Sequence, residues 1–218
     1  MAASKRIEAE LSDGLFKTHG ELINLLDAAY TVRNAKLFNQ VGKRLILDAT
    51  SAIPSAHPRI SHVLRTIEQV RLDVLNHVAN FIERTYQSNA HLHQPDRPNQ
   101  CRPFCRYHQW YEQAFRNYLT TCGLWPVDNP VPCSLRTVLN RMTRVEFDSL
   151  DVDKRWICER NEGDVWKSKC CVGSRTKPTR LNALFTHGAH LATTRIPQLC
   201  LDCALKGEKV IKTANCGH

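Results

Sequence analysis

Apolar residues in the first ninety positions recur every third or fourth residue, the spacing that places them on one face of an α-helix. A first helix is predicted directly after Gly20, and a second follows Asn34, whose side chain suits an N-cap. After a break that contains two prolines, a longer helix is predicted over residues 60–86. Its apolar stripe is regular enough to bury against neighbouring helices.

The second half of the chain predicts shorter helices and more irregular sequence. An aromatic-rich helix is predicted from near Cys105 to Gly123, which is placed as a C-terminal cap. Ser134 can cap a short helix, residues 148–180 are polar and irregular, and residues 181–193 suit a further helix. The closing segment is predicted to be a knuckle-like loop. The predicted fold class is therefore mainly α, with a helical hairpin and a long helix followed by a small irregular Cys/His-rich α region.

Cysteine usage divides the chain into two parts. All ten cysteines lie between Cys101 and Cys216, and the residues just before them are polar and contain two prolines. We therefore predict a helical region at 1–90, a linker at 91–100 and a Cys/His-rich region at 101–218. The full length of 218 residues is sufficient to bury a hydrophobic core.

The composition predicts an intracellular protein, in the cytoplasm or the nucleus, with no membrane partner. No apolar run approaches the ~20 residues that a membrane-spanning helix requires. The opening sequence MAASKRIEAELSDG lacks the apolar segment of a secretory signal, and the chain has no Asn-x-Ser/Thr acceptor. Disulfides are disfavoured in a reducing compartment, so the cysteines are expected to be metal ligands or buried small side chains.

The net charge of +9 is concentrated in the cysteine-bearing half. Residues 101–218 contain 18 basic and 11 acidic side chains, and residues 1–100 contain 12 and 10. Such an excess can attract nucleic acid or an acidic protein surface. No run of Lys and Arg exceeds two residues, which favours an ordinary solvated surface.

The most specific motif is Cys200-x2-Cys203, followed by Gly207 and then Cys216-x-His218. A Cys-x2-Cys turn can bring two sulfurs to one ion, a nearby glycine lets the turn close, and Cys-x-His supplies further ligands. A thioredoxin-like dithiol is less well supported because no βαβ unit is visible. Buried cysteines without a ligand are the remaining alternative.

A second cluster comprises Cys101, Cys105 and His108, and Cys158 could complete a site from a distance. Cys105 and His108 lie about one helical turn apart and can face the same way, although a capping loop with incidental cysteines is equally compatible. Zinc is the predicted ion and would stabilise the region, because it takes mixed Cys/His ligands without redox change. One ion or two remains open. An iron–sulfur cluster would need four cysteines at a recognised spacing, which is absent.

The order of these motifs resembles the C-terminal part of fungal BTB/POZ-domain-like proteins of unassigned function. The resemblance is carried by the helix pair LINLLDAAYTVRNAKLFNQVGKRLIL, by GLWP at 123–126, by LCLDC at 199–203, and by Cys216 with His218. It implies that the helix pair closes a BTB fold and that a Cys/His-rich tail follows. The strand–helix–strand core that builds the family's dimer interface has no counterpart here, so the oligomeric state stays open.

These features predict a non-enzymatic intracellular module that binds another protein and contains structural zinc. Gly-rich phosphate loops, GxSxG and HExxH motifs are absent from the sequence. The first alternative is a zinc-dependent, nucleic-acid-binding regulatory protein. The second is an enzyme that uses a reactive cysteine, although metal binding would compete for the same thiols.

Overall fold

A computed structural model describes residues 18–90, 106–125, 133–147, 178–208, 210–212 and 216. Within these ranges the chain forms helices and one isolated antiparallel bridge, Leu199↔Ile211. The helices are α1 (His19–Thr31), α2 (Ala35–Asp48), α3 (Ser61–Ala90), α4 (Arg106–Thr121), α5 (Leu135–Thr143), α6 (Pro178–Thr194) and α7 (Leu201–Leu205). The predicted fold class, mainly α, is confirmed.

Side-chain caps fix the start of the helical hairpin. Thr18 and Glu21 form a capping box, in which Thr18 Oγ1 accepts the Glu21 N–H (3.2 Å) and Glu21 Oε2 accepts the Thr18 N–H (3.0 Å). The first helix therefore begins at His19, before Gly20 rather than after it. Asn34 Oδ1 accepts the Leu37 N–H at 3.1 Å, which confirms the predicted cap of α2.

The predicted apolar stripes are the faces that the first helices bury. The buried residues of α2 include Leu37, Phe38, Val41, Leu45 and Ile46. Along α3 the buried aliphatic residues are Val63, Leu64, Ile67, Val70, Val74, Val78 and Ile82. Each fully buried side chain of this size contributes roughly 1.5–3 kcal/mol relative to exposure, so packing rather than helix propensity holds these elements in place.

The caps predicted in the second half are also present. Gly123 follows α4 with φ +67°, a conformation that glycine adopts without steric cost. Ser134 Oγ accepts the Thr137 N–H at 3.2 Å at the start of α5. The helix predicted over residues 181–193 is α6.

The chain divides into two compact units that are each assembled from separate stretches of sequence. The first unit comprises Met1–Asn76, Pro132–Thr137 and Leu191–His218, and the second comprises His77–Val131 and Val138–His190. The division falls within α3, α5 and α6. The predicted linker at 91–100 lies outside the described residues, and the predicted region boundaries stay a prediction.

Two ion-pair groups connect parts of the first unit. Arg136 Nε lies 2.5 Å from Asp48 Oδ1, which joins the short 132–137 segment to the end of α2. Arg71, which is 7% exposed, donates two hydrogen bonds to the Glu68 carboxylate. These hydrogen bonds lower the pKa of Glu68 below its ordinary value, although burial of the carboxyl group raises it. The charge of Arg71 and the hydrogen bond from the Ile53 N–H also lower this pKa.

Stacked aromatic side chains fill the core of the second unit. Phe147 lies between Phe115 (ring centroids 5.0 Å apart) and Phe185 (5.3 Å), and all three are buried. The Phe147 N–H donates to Asn182 Oδ1 at 2.8 Å. Aromatic pairs of this kind add about 0.5–1.5 kcal/mol beyond the area they bury. The sequence analysis did not assign Phe147 to the core, because it follows the short helix α5 in a segment without periodicity.

Candidate metal centre

Three sulfur atoms converge near the end of the first unit. The Sγ atoms of Cys200, Cys203 and Cys216 all lie within 4.8 Å of one another, and Cys203 Sγ is 3.4 Å from Cys216 Sγ. Sulfurs bound to one tetrahedral zinc at ~2.3 Å are about 3.8 Å apart, so a single ion can contact all three. None of the three cysteines forms a disulfide, since that bond would bring two sulfurs to about 2.05 Å.

A one-turn helix presents two of these sulfurs together. Cys200 directly precedes α7 and Cys203 lies within it, so the two residues are three positions apart on adjacent turns. The Cys200 thiol makes no capping hydrogen bond to the helix. The predicted knuckle-like loop thus contains a short helix, which forms because Leu201 and Ala204 bury their side chains.

A reversal at Gly207 returns the chain toward the cluster. Gly207 has φ +70°, and the Glu208 N–H donates to the Cys203 carbonyl at 2.9 Å. The returning segment pairs with the residues before α7 through the Cys200 N–H, which donates to Val210 O at 2.6 Å. This pairing places the returning segment beside Cys200, and the left-handed conformation of Gly207 is compatible with the predicted role of a glycine after the Cys-x2-Cys turn.

The proximity of the sulfurs alters their chemistry. Hydrogen bonds with Cys200 and then Cys216, followed by burial and the charges of both neighbours, raise the pKa of Cys203 to about 12. Cys203 is therefore protonated at neutral pH in the metal-free chain. A bound cation reverses this preference, because coordinated thiols are deprotonated.

The remaining predicted ligands lie outside the part of the chain that the structure describes. Cys101, Cys105, Cys158 and His218 lie outside it, as does the side chain of His108, whose backbone belongs to α4. The second predicted cluster therefore stays a prediction, and so does the fourth ligand of the first.

Cys122 and Cys133 do not join the cluster and are half-buried. Burial raises the pKa of Cys122, although a hydrogen bond with Tyr118 and the charge of Arg141 oppose this effect. Neither forms a disulfide.

Contacts from distant helices hold the backbone on both sides of the Cys200–Cys203 segment. The Leu199 N–H donates to Asn39 Oδ1 at 2.9 Å, and His62 Nε2 donates to the Ala204 carbonyl at 3.0 Å. Sequence reasoning did not identify Asn39 or His62, since neither belongs to a motif with the cysteines. The only available signal was polarity, because each is a polar residue directly beside a buried apolar one, Phe38 or Val63.

Comparison with protein-family models, with curated proteins and with solved structures finds no match to this chain. The resemblance to BTB/POZ-like proteins therefore stays a prediction. None of the described helices is long and apolar enough to cross a membrane. Among the described residues, the side chains of Cys200, Cys203 and Cys216 form a group that could hold a metal ion.

Proposed function

We propose that this chain is an intracellular protein–protein interaction module in which Cys200, Cys203, Cys216 and His218 bind one structural zinc ion. The single observation that carries the proposal is the convergence of three cysteine sulfurs within 4.8 Å. Three thiolates and one imidazole form a common closed tetrahedral zinc site. His218 is assigned from the Cys-x-His spacing alone.

A structural role for the ion agrees with the surroundings of the cluster. Cys200 is 8% exposed, and the adjacent Leu199, Leu201 and Ala204 are buried. A catalytic zinc keeps an open coordination position, whereas four protein ligands would close this one.

The order of the motifs along the chain supports the interaction role. The helix pair and the Cys/His-rich tail have the order found in BTB/POZ-like proteins, and the partner we propose is another protein. Because no relative identifies that partner, metal binding is the part of the proposal with a direct test.

Zinc content of the purified full-length chain tests the proposal. Mass spectrometry of metals should find one zinc per chain in the wild type and in Cys122→Ser, a matched control at a cysteine outside the cluster. The ion should be lost in Cys203→Ser. A wild-type chain purified under reducing conditions without stoichiometric metal would overturn the proposal. Loss of zinc in Cys101→Ser would instead add that residue to the ligand set.

A second candidate function is zinc-dependent binding of nucleic acid. Lys206 and Lys212 are exposed on the segment between Cys203 and Cys216, within the basic half of the chain. Phosphate binding through such residues weakens steeply as salt is added. Titration of a labelled DNA or RNA duplex at low and at physiological salt discriminates the two functions, and no binding at low salt removes this one.

A further inference from the structure

Leu199, the residue just before the cluster, packs against α2. The backbone N–H of Leu199 donates to the Asn39 side chain, and the two residues are 160 positions apart in sequence. The Leu199 side chain is buried and packs against Gly42, one turn further along α2, where a Cβ atom would collide with it. Cys200 follows Leu199 directly, so the position of the Cys200 sulfur depends on these contacts of Leu199 with α2.

The segment just after Cys203 is held by two other helices. The Ala204 carbonyl accepts hydrogen bonds from His62 Nε2 of α3 (3.0 Å) and from the Tyr30 hydroxyl of α1 (3.5 Å). The rings of Tyr30 and His62 also meet edge-to-face, with centroids 6.3 Å apart. Ala204 itself is fully buried, so its carbonyl has little access to water if the histidine is removed.

We propose that Asn39 and His62 are positioning residues for the metal centre, an inference that rests on the proposed metal binding. They hold the backbone on either side of Cys200 and Cys203 before any ion arrives. The ion then meets two sulfurs already in place and has to order only the remaining ligands. Partners that hydrogen-bond the metal ligands themselves typically change metal affinity by about 10–100-fold, and Asn39 and His62 bind the residues directly adjacent to two ligands.

The coupling runs in both directions. A contact that favours the metal-bound arrangement of the tail is itself favoured by the bound metal, because linkage between two equilibria is reciprocal. The metal therefore stabilises the packing of α1, α2 and α3 around the tail, although all of its described ligands lie after residue 199.

Cobalt(II) titration of the reduced, metal-free full-length chain tests this inference. Asn39→Leu and His62→Phe remove the hydrogen bonds while keeping the size of each side chain. Each should weaken Co²⁺ affinity at least about ten-fold while the thiolate-to-cobalt absorption bands keep their form. Asn39→Asp, which keeps an acceptor oxygen, and His62→Gln, which keeps an N–H donor, should recover most of the affinity. Gln40→Leu, at an exposed neighbour of Asn39, is the matched control and should bind as the wild type does.

Wild-type affinity in both Asn39→Leu and His62→Phe would overturn the inference. Altered absorption bands would overturn it too, because a positioning residue leaves the ligand set unchanged. A variant that circular dichroism shows to be unfolded is replaced by its alanine counterpart, with the same expected loss. The proposed function fails separately, and only if the wild-type chain itself binds neither cobalt nor zinc.

Discussion

The side chain of Leu199 occupies the space beside the Gly42 backbone that any larger residue at position 42 would fill. Leu199 is 5% exposed, so it has little room to move away. We expect Gly42→Ala to lower the free energy of unfolding by about 1–3 kcal/mol, the usual cost of overpacking a core. Urea denaturation measures this change.

Gly20→Ala is the control for that substitution. Gly20 lies in the first turn of α1, and a Cβ atom there would meet nothing within 4 Å. Alanine is the better helix former, so this variant should be neutral or slightly more stable than the wild type. Equal stability of the two alanine variants would show that the packing of Leu199 does not require the absence of a side chain at position 42.

Removal of the metal should destabilise the chain through the cysteine cluster. A ligand that binds only the folded state stabilises it by about 2.7 kcal/mol at one hundred times its dissociation constant. Excess chelator should therefore lower the Tm of the wild type and of Cys122→Ser by several degrees. Cys203→Ser should begin at a lower Tm and should not respond to chelator. A chelator effect of the same size in Cys203→Ser would place the ion elsewhere.

The Glu68–Arg71 pair should make stability depend on pH in the acidic range. The pKa of Glu68 is lowered in the folded chain from an ordinary value of 4.5, so the unfolded chain takes up a proton first as the pH falls. The stabilisation is present above pH 4.5 and is lost as the pH falls through the folded-state pKa. Glu68→Gln should cost roughly 1–3 kcal/mol at pH 7, as expected for a charged hydrogen-bonded pair.

Denaturant titrations of wild type and Glu68→Gln between pH 7 and pH 3 measure this effect. The gap in unfolding free energy between them should narrow below pH 4.5. A gap that stayed constant, or that widened in acid, would contradict the assignment of Glu68 as a stabilising carboxylate.

Phe147 should be among the most costly residues to truncate in the second unit. It is fully buried between Phe115 and Phe185, so Phe147→Ala should lower the free energy of unfolding by about 3–5 kcal/mol. Arg144→Ala, at an exposed position three residues earlier, should change it by no more than about 0.5 kcal/mol. Comparable losses in the two variants would argue against a shared aromatic core.

Local features of the chain were predictable because their causes are local. The Asn34 and Ser134 caps each bond to a backbone N–H three residues ahead, so residue type and position are enough to expect them. The first helix was placed after Gly20 because the Thr18–Glu21 capping box was overlooked. The cluster was predictable to the same degree, since Cys200 and Cys203 share a short motif with a glycine after it.

The sequence by itself determined the helical class, most helix bounds and the pairing of Cys200 with Cys203, because helix periodicity, caps and the Cys-x2-Cys spacing act over a few residues. Only the tertiary structure decided that Asn39 and His62 hydrogen-bond the backbone beside Cys200 and Cys203 and that Phe147 joins the aromatic core. Hydrogen bonds between residues 160 and 142 positions apart depend on how whole helices pack, and no spacing along the chain encodes that. The physical reason is that folding buries groups that are distant in sequence next to one another. A buried polar group that water can no longer reach then needs a hydrogen-bond partner from another part of the chain.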